Sequence, residues 1–137
     1  MNVLVDTNVV VSALIRGGLP GRVIEELVAH DDWFWIVTDQ IEREYRDVLA
    51  RPRFRISSEI QNGIGTLIET ITIRVKPITP PPFTRDRKDE IFIGAALASE
   101  ADFLITGDKD LLDIQRLLST QIVSPAQFAE LFGIRGN

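Results

Sequence analysis

Short apolar runs and longer segments of helical periodicity alternate along the chain. Residues 3–6 read as a buried strand. The apolar stretch 8–15 reads as a helix closed by Gly17-Gly18. Val23, Ile24, Leu27 and Val28 form one face of a helix over 19–30. "FWIVT" at 34–38 is a second buried strand, after which Thr38 or Asp39 caps a helix that Arg51-Pro52 stops. The spacing predicts a further helix over 56–70. Ile71, Ile73 and Val75 then alternate with polar residues, as in a half-exposed edge strand. After the triple proline at 80–82, a helix over 89–101 is apolar almost all round. "DFLIT" at 102–106 is a third apolar strand, Gly107-Asp108 opens another helix, 121–123 is a last short strand, and Ser124 caps a final helix.

Continuous apolar strands alternating with helices indicate an α/β fold, with a parallel sheet covered on both faces. Ligands of such sheets bind beyond the carboxyl ends of the strands, where the strand order reverses. The length, 137 residues, suits one domain over 1–137, and 45% hydrophobic residues suffice for its core. No apolar run has the ~20 residues of a membrane span. The first run meets Asp6 at once and lacks a basic lead, so no signal peptide and a cytoplasmic location are expected. With no cysteine there is no thiolate metal site. The lone histidine, His30, lies beside Asp31 and Asp32 and reads as a solvated helix-end residue, which disfavours Ser/His/Asp and His-zinc chemistry.

The net charge is −5, against a generic nucleic-acid binder. Ten of the fifteen basic residues nevertheless fall in two stretches: Arg43, Arg46, Arg51, Arg53 and Arg55, then Arg74, Lys76, Arg85, Arg87 and Lys88. These are either solvated faces or a phosphate-contacting rim.

The acids are more informative. Asp6 interrupts an apolar segment at a strand end, and Asp108 and Asp110 follow the 102–106 strand. Asp89 heads a helix that runs back along the sheet, in line with Phe92, Ile93 and Ala96. The helix after the second strand carries Glu42 and Glu44. Four segments thus deliver carboxylates to one rim. Singly, each has an innocent role: Asp108 as an N-cap, Asp89 and Asp110 as first-turn acids, Glu42 as half of a capping box with Asp39. Together they repel unless cations lie between them, and oxygen-only ligands suit Mg²⁺ or Mn²⁺. At ~100° per residue, Glu42 and Glu44 flank the Ile41/Tyr45/Val48/Leu49 face on opposite sides. Periodicity does not choose between them; a capping role for Glu42 favours Glu44.

The segments "VLVDTNVVVSAL", "IEREYRDVL", "RDRKDEIFIGAAL" and "ADFLITGDKDLL" resemble, in order and spacing, the signatures of PIN-domain ribonucleases. The nearest likeness is to the VapC-like toxins of toxin–antitoxin pairs. The resemblance implies a three-layer α/β/α sandwich on a parallel five-stranded sheet, and Mg²⁺- or Mn²⁺-dependent hydrolysis of RNA leaving a 5′-phosphate. By position it implies Asp6, Glu44, Asp89 and Asp108 as catalytic and metal-binding acids, and Asp110 as an accessory metal acid. Asn8 and Thr106 match supporting polar residues, and Asp86 is an extra acid near Asp89. An antitoxin protein and a second copy of the chain are the implied partners, with no membrane. The competing reading is a non-catalytic PIN-fold interaction module. A haloacid-type phosphatase needs an Asp at position 8, which is Asn.

Overall fold

A computed structural model describes residues 1–79 and 87–136, with the backbone alone at 87 and 88. The triple proline, Arg85 and Asp86 lie outside the described residues, as do the side chains of Arg87 and Lys88.

The chain opens with β1 (Asn2–Val5), α1 (Thr7–Ile15), α2 (Gly18–Ala29) and β2 (Phe34–Val37). Then come α3 (Asp39–Leu49), a 3-10 turn (Pro52–Phe54), α4 (Ser58–Ile71) and β3 (Thr72–Arg74). After the undescribed stretch follow α5 (Arg87–Ser99), β4 (Phe103–Ile105), α6 (Lys109–Ile114), β5 (Arg116–Leu117), β6 (Thr120–Val123) and α7 (Pro125–Phe132). Among the described residues the strands form one sheet in the order β3-β2-β1-β4-β6-β5. All neighbours are parallel except β5 and β6. Helices flank this sheet: α5 packs on β1 and β2, α7 on β6, and α2 lies against both α1 and α7.

β1 is central, and Val3, Leu4 and Val5 have no exposed surface. A strand covered on both faces needs a continuous apolar run, and this one has it. On α5 the row Asp89, Phe92, Ile93 and Ala96 is buried throughout, as its spacing requires.

The five-stranded, all-parallel sheet expected from the sequence is corrected in one respect. A sixth strand, β5, hairpins back antiparallel onto β6, with Leu117 opposite Thr120. The turn places Leu118 at φ 52°. No Asn-Gly, Asp-Gly or Gly marks this turn, so the usual hairpin signal is missing. β3 is the edge strand expected from its alternation, yet its Ile73 is exposed. Among the described residues no helix is long and apolar enough to cross a membrane.

The order of strands locates the interesting edge. The chain steps from β1 to β2 to β3 on one side, then returns to the other side of β1 for β4 and β6. The reversal lies between β1 and β4, whose carboxyl ends are followed by Asp6 and by Thr106–Gly107–Asp108.

Candidate active site

Val5 pairs with Ile105 at the ends of β1 and β4, and the Asp6 N–H continues the ladder onto the Ile105 carbonyl at 2.8 Å. Asp6 and Thr106 therefore face each other as the next pair. The Thr106 hydroxyl donates to Asp6 Oδ2 at 2.6 Å and accepts the Asp108 N–H at 3.0 Å. An accepted N–H leaves the hydroxyl proton to point at the carboxylate, so Thr106, fully buried, holds Asp6 Oδ2 as its acceptor. Asp108 is the N-cap of α6, and its Oδ1 accepts the Asp110 N–H at 2.9 Å.

Glu44 arrives from α3. Tyr45, its neighbour, is fully buried and donates its hydroxyl to the Val5 carbonyl at 2.5 Å. Burial raises the Tyr45 pKa well above the ordinary tyrosine range, so the proton stays and the bond to β1 persists. That bond joins α3 to the residue before Asp6. One residue round the helix from Tyr45, at the flank of the core face, Glu44 Oε2 accepts the Thr7 hydroxyl at 2.6 Å. Thr7 is the first residue of α1 and buried.

These contacts bring Asp6, Glu44 and Asp108 together electrostatically. Burial raises the Asp6 pKa above its ordinary value, the Thr106 hydroxyl and then the Thr7 backbone N–H oppose the rise, and the Glu44 and Asp108 charges add to it. Asp89 is buried in the first turn of α5, at the same edge by the direction of that helix. Asp110 is exposed and meets Asp108 through its backbone. Asn8, the second residue of α1, is exposed, and its side chain makes no hydrogen bond among the described residues.

Glu42 has a different role from the capping box expected of it. The N-cap of α3 is Thr38, whose hydroxyl accepts the Ile41 N–H, so Glu42 lies one position too far along. It is buried instead between Arg74, at 2.6 Å, and Arg46, at 3.4 Å. Arg74 also pairs with Asp39, and Arg46 with Glu69. Two of the ten clustered cations, Arg46 and Arg74, are thereby committed to ion pairs rather than left for a phosphate. Arg51, Arg53 and Arg55 lie past the far end of α3, whose 11 residues span about 16 Å. His30 caps α2 and stacks on Trp33 at 3.8 Å between ring centroids, away from the acids' edge.

The PIN-domain family model matches residues 2–110, most of the chain and every candidate acid. The chain belongs to the PIN-domain family. No curated protein matched it. PIN domains are commonly nucleases and generally use divalent metal ions.

The residues of this PIN domain fit such an ion as an open site. Among the described residues no three His, Cys, Asp or Glu side chains are grouped to hold a metal by themselves. Mg²⁺ does not require that: it keeps several waters and binds through one or two carboxylates plus substrate phosphates. Asp6, with Oδ2 fixed by Thr106, has Oδ1 left for a ligand role. Asp108, with Oδ1 on its helix, has Oδ2. Both donors are hard oxygens, and the mutual repulsion felt at Asp6 is what a cation would relieve. The supports that the sequence did not reveal are Thr7 and the Tyr45 hydroxyl. Thr7 carried a signal, a polar residue inside an apolar run next to Asp6; Tyr45 read only as core.

Proposed function

We propose that this PIN domain is a Mg²⁺- or Mn²⁺-dependent endoribonuclease that hydrolyses RNA phosphodiester bonds. The observation that supports it most is Thr106 bonded to both Asp6 and Asp108 where β1 and β4 diverge. In this reading Asp6, Glu44, Asp89 and Asp108 are the acids of the site, and Asp110 is accessory. The chemistry a divalent ion supplies there is a water of lowered pKa and counter-charge for the scissile phosphate. The protein's part is preorganisation. Thr106 orients the Asp6 carboxylate, the α6 N-terminus orients Asp108, and Tyr45 sets α3 so that Glu44 faces the same rim.

The biological setting follows from the resemblance to VapC-like toxins. The protein acts in the cytoplasm as a homodimer, and a basic side chain of an antitoxin enters the acidic rim and displaces the metal by charge compensation. Sedimentation at micromolar concentration checks the dimer, which a monomer contradicts. Cleavage with and without the product of the neighbouring gene checks the antitoxin.

The activity itself is tested with 5′-labelled single-stranded RNA, with Mn²⁺, Mg²⁺ or a chelator. Internal cleavage leaving 5′-phosphate ends, lost on chelation, is the expected result. No cleavage under any metal condition returns the chain to the reading of a non-catalytic interaction module.

A further inference from the structure

Two buried threonines serve this rim in the same way. Thr106 is fully buried and Thr7 is 4% exposed; each donates its hydroxyl at 2.6 Å to one carboxylate oxygen. Thr106 fixes Asp6 and Thr7 fixes Glu44. The second bond is the more unusual. A hydroxyl at the start of a helix ordinarily serves that helix's own first turn. Thr7 instead reaches a residue 37 positions away on another helix. The N-cap of α1, Asp6, makes no side-chain cap bond either, so both polar side chains at this helix start are turned toward the rim.

Glu44 needs such a partner. It is only partly buried, and a glutamate has three side-chain torsions to lose on being held in one place. Thr7, by contrast, is β-branched, stiff at χ1 and packed in the core. We propose that Thr7 is a positioning residue: its hydroxyl holds the Glu44 carboxylate at the rim, in the orientation that serves a divalent cation shared with Asp6. This role rests on the metal-dependent reading above. It does not follow from simple helix packing, for which a methyl group in place of the hydroxyl would serve as well.

The test uses the full chain and Mn²⁺ alone, followed by isothermal titration calorimetry, with melting temperatures measured in parallel. Thr7→Val keeps the shape and removes the donor; it is expected to weaken Mn²⁺ binding about 10-fold or more, the range for losing a hydrogen bond behind a metal ligand. Thr7→Ser keeps the donor and should bind within about threefold of the wild type. Thr7→Ala, a second donor-free variant, should match Thr7→Val even if the two differ in melting temperature. On a Glu44→Ala background, Thr7→Val should have no further effect on binding, because Thr7 acts through Glu44. Wild-type Mn²⁺ binding that Thr7→Val and Thr7→Ala leave unchanged overturns the Thr7 role alone. So does an equal loss in Thr7→Ser. A wild-type chain that binds no Mn²⁺ overturns the metal-dependent reading, and the Thr7 role with it.

Discussion

Thr106 and Asp6 face each other across the β1–β4 junction, and a single hydroxyl ties the Asp6 carboxylate to the backbone of Asp108. The pair sits where parallel strands separate, so backbone pairing ends and side chains take over the hydrogen bonding. Thr106→Val removes the donor and leaves a partly buried carboxylate and the Asp108 N–H without their partner. A loss of about 1–3 kcal/mol in stability follows from the unsatisfied groups. Mn²⁺ affinity should fall about 10–100-fold. Chemical denaturation and calorimetry check the two effects, and a variant with unchanged metal affinity contradicts the role given to Thr106.

Glu42 and Glu44 make a sharper comparison, because they leave the same helix on opposite sides. Glu42 is buried between two arginines, whereas Glu44 has a hydroxyl partner and faces the other acids. Glu42→Gln should lower stability by roughly 1 kcal/mol, a value discounted because both arginines are partly exposed to solvent. It should leave cleavage near the wild-type rate. Glu44→Gln should do the reverse: little change in melting temperature, and a fall of about 10²-fold in cleavage. The opposite pattern would make Glu42 the acid of the site.

Asp6 carries a pH signature whose sign can be worked out. Burial chiefly, then the Glu44 and Asp108 charges, raise its pKa above the ordinary 3.8 in the folded protein. Between that value and the raised one, the folded state binds more protons than the unfolded chain. The group's contribution to stability is therefore most favourable below the ordinary value and declines as pH rises through the raised one. At neutral pH the ionised Asp6 is a net cost to the metal-free fold. Asp6→Asn should accordingly melt above the wild type at pH 7 without metal, and the gap should close as pH falls toward 4. Divalent metal should reverse the order by stabilising only the wild type. A metal-free Asn variant that melts below the wild type at pH 7 contradicts this placement of Asp6.

Most elements of the fold were legible because its strands are buried on both faces and its helices carry clear caps and stripes. Val3–Val5, Trp35–Val37 and the Asp89/Phe92/Ile93/Ala96 row illustrate this: a local pattern reports burial directly. β5 escaped because Arg116 and Leu117 are only two residues of strand, joined to β6 by a turn centred on Leu118 rather than glycine. The common edge of the acids followed from the direction of parallel strands. Their hydrogen bonds did not follow. Thr7 to Glu44, Tyr45 to Val5 and Glu42 to Arg74 join residues 37, 40 and 32 positions apart. Each depends on how α3 is rotated against β1 and β3, which periodicity leaves undetermined between Glu42 and Glu44.

If Asp6 holds the divalent ion of an RNA-cleaving site, cleavage depends on its negative charge. Asp6→Asn keeps the shape and can still accept from Thr106, but lacks one negative charge. The direct measurement is the rate of RNA cleavage by the wild type and by Asp6→Asn across a Mn²⁺ titration, with melting temperature confirming that both are folded. The expected result is metal-dependent cleavage by the wild type and a rate at least ~10²-fold lower for the folded variant. Equal rates for the two proteins at every Mn²⁺ concentration would contradict it.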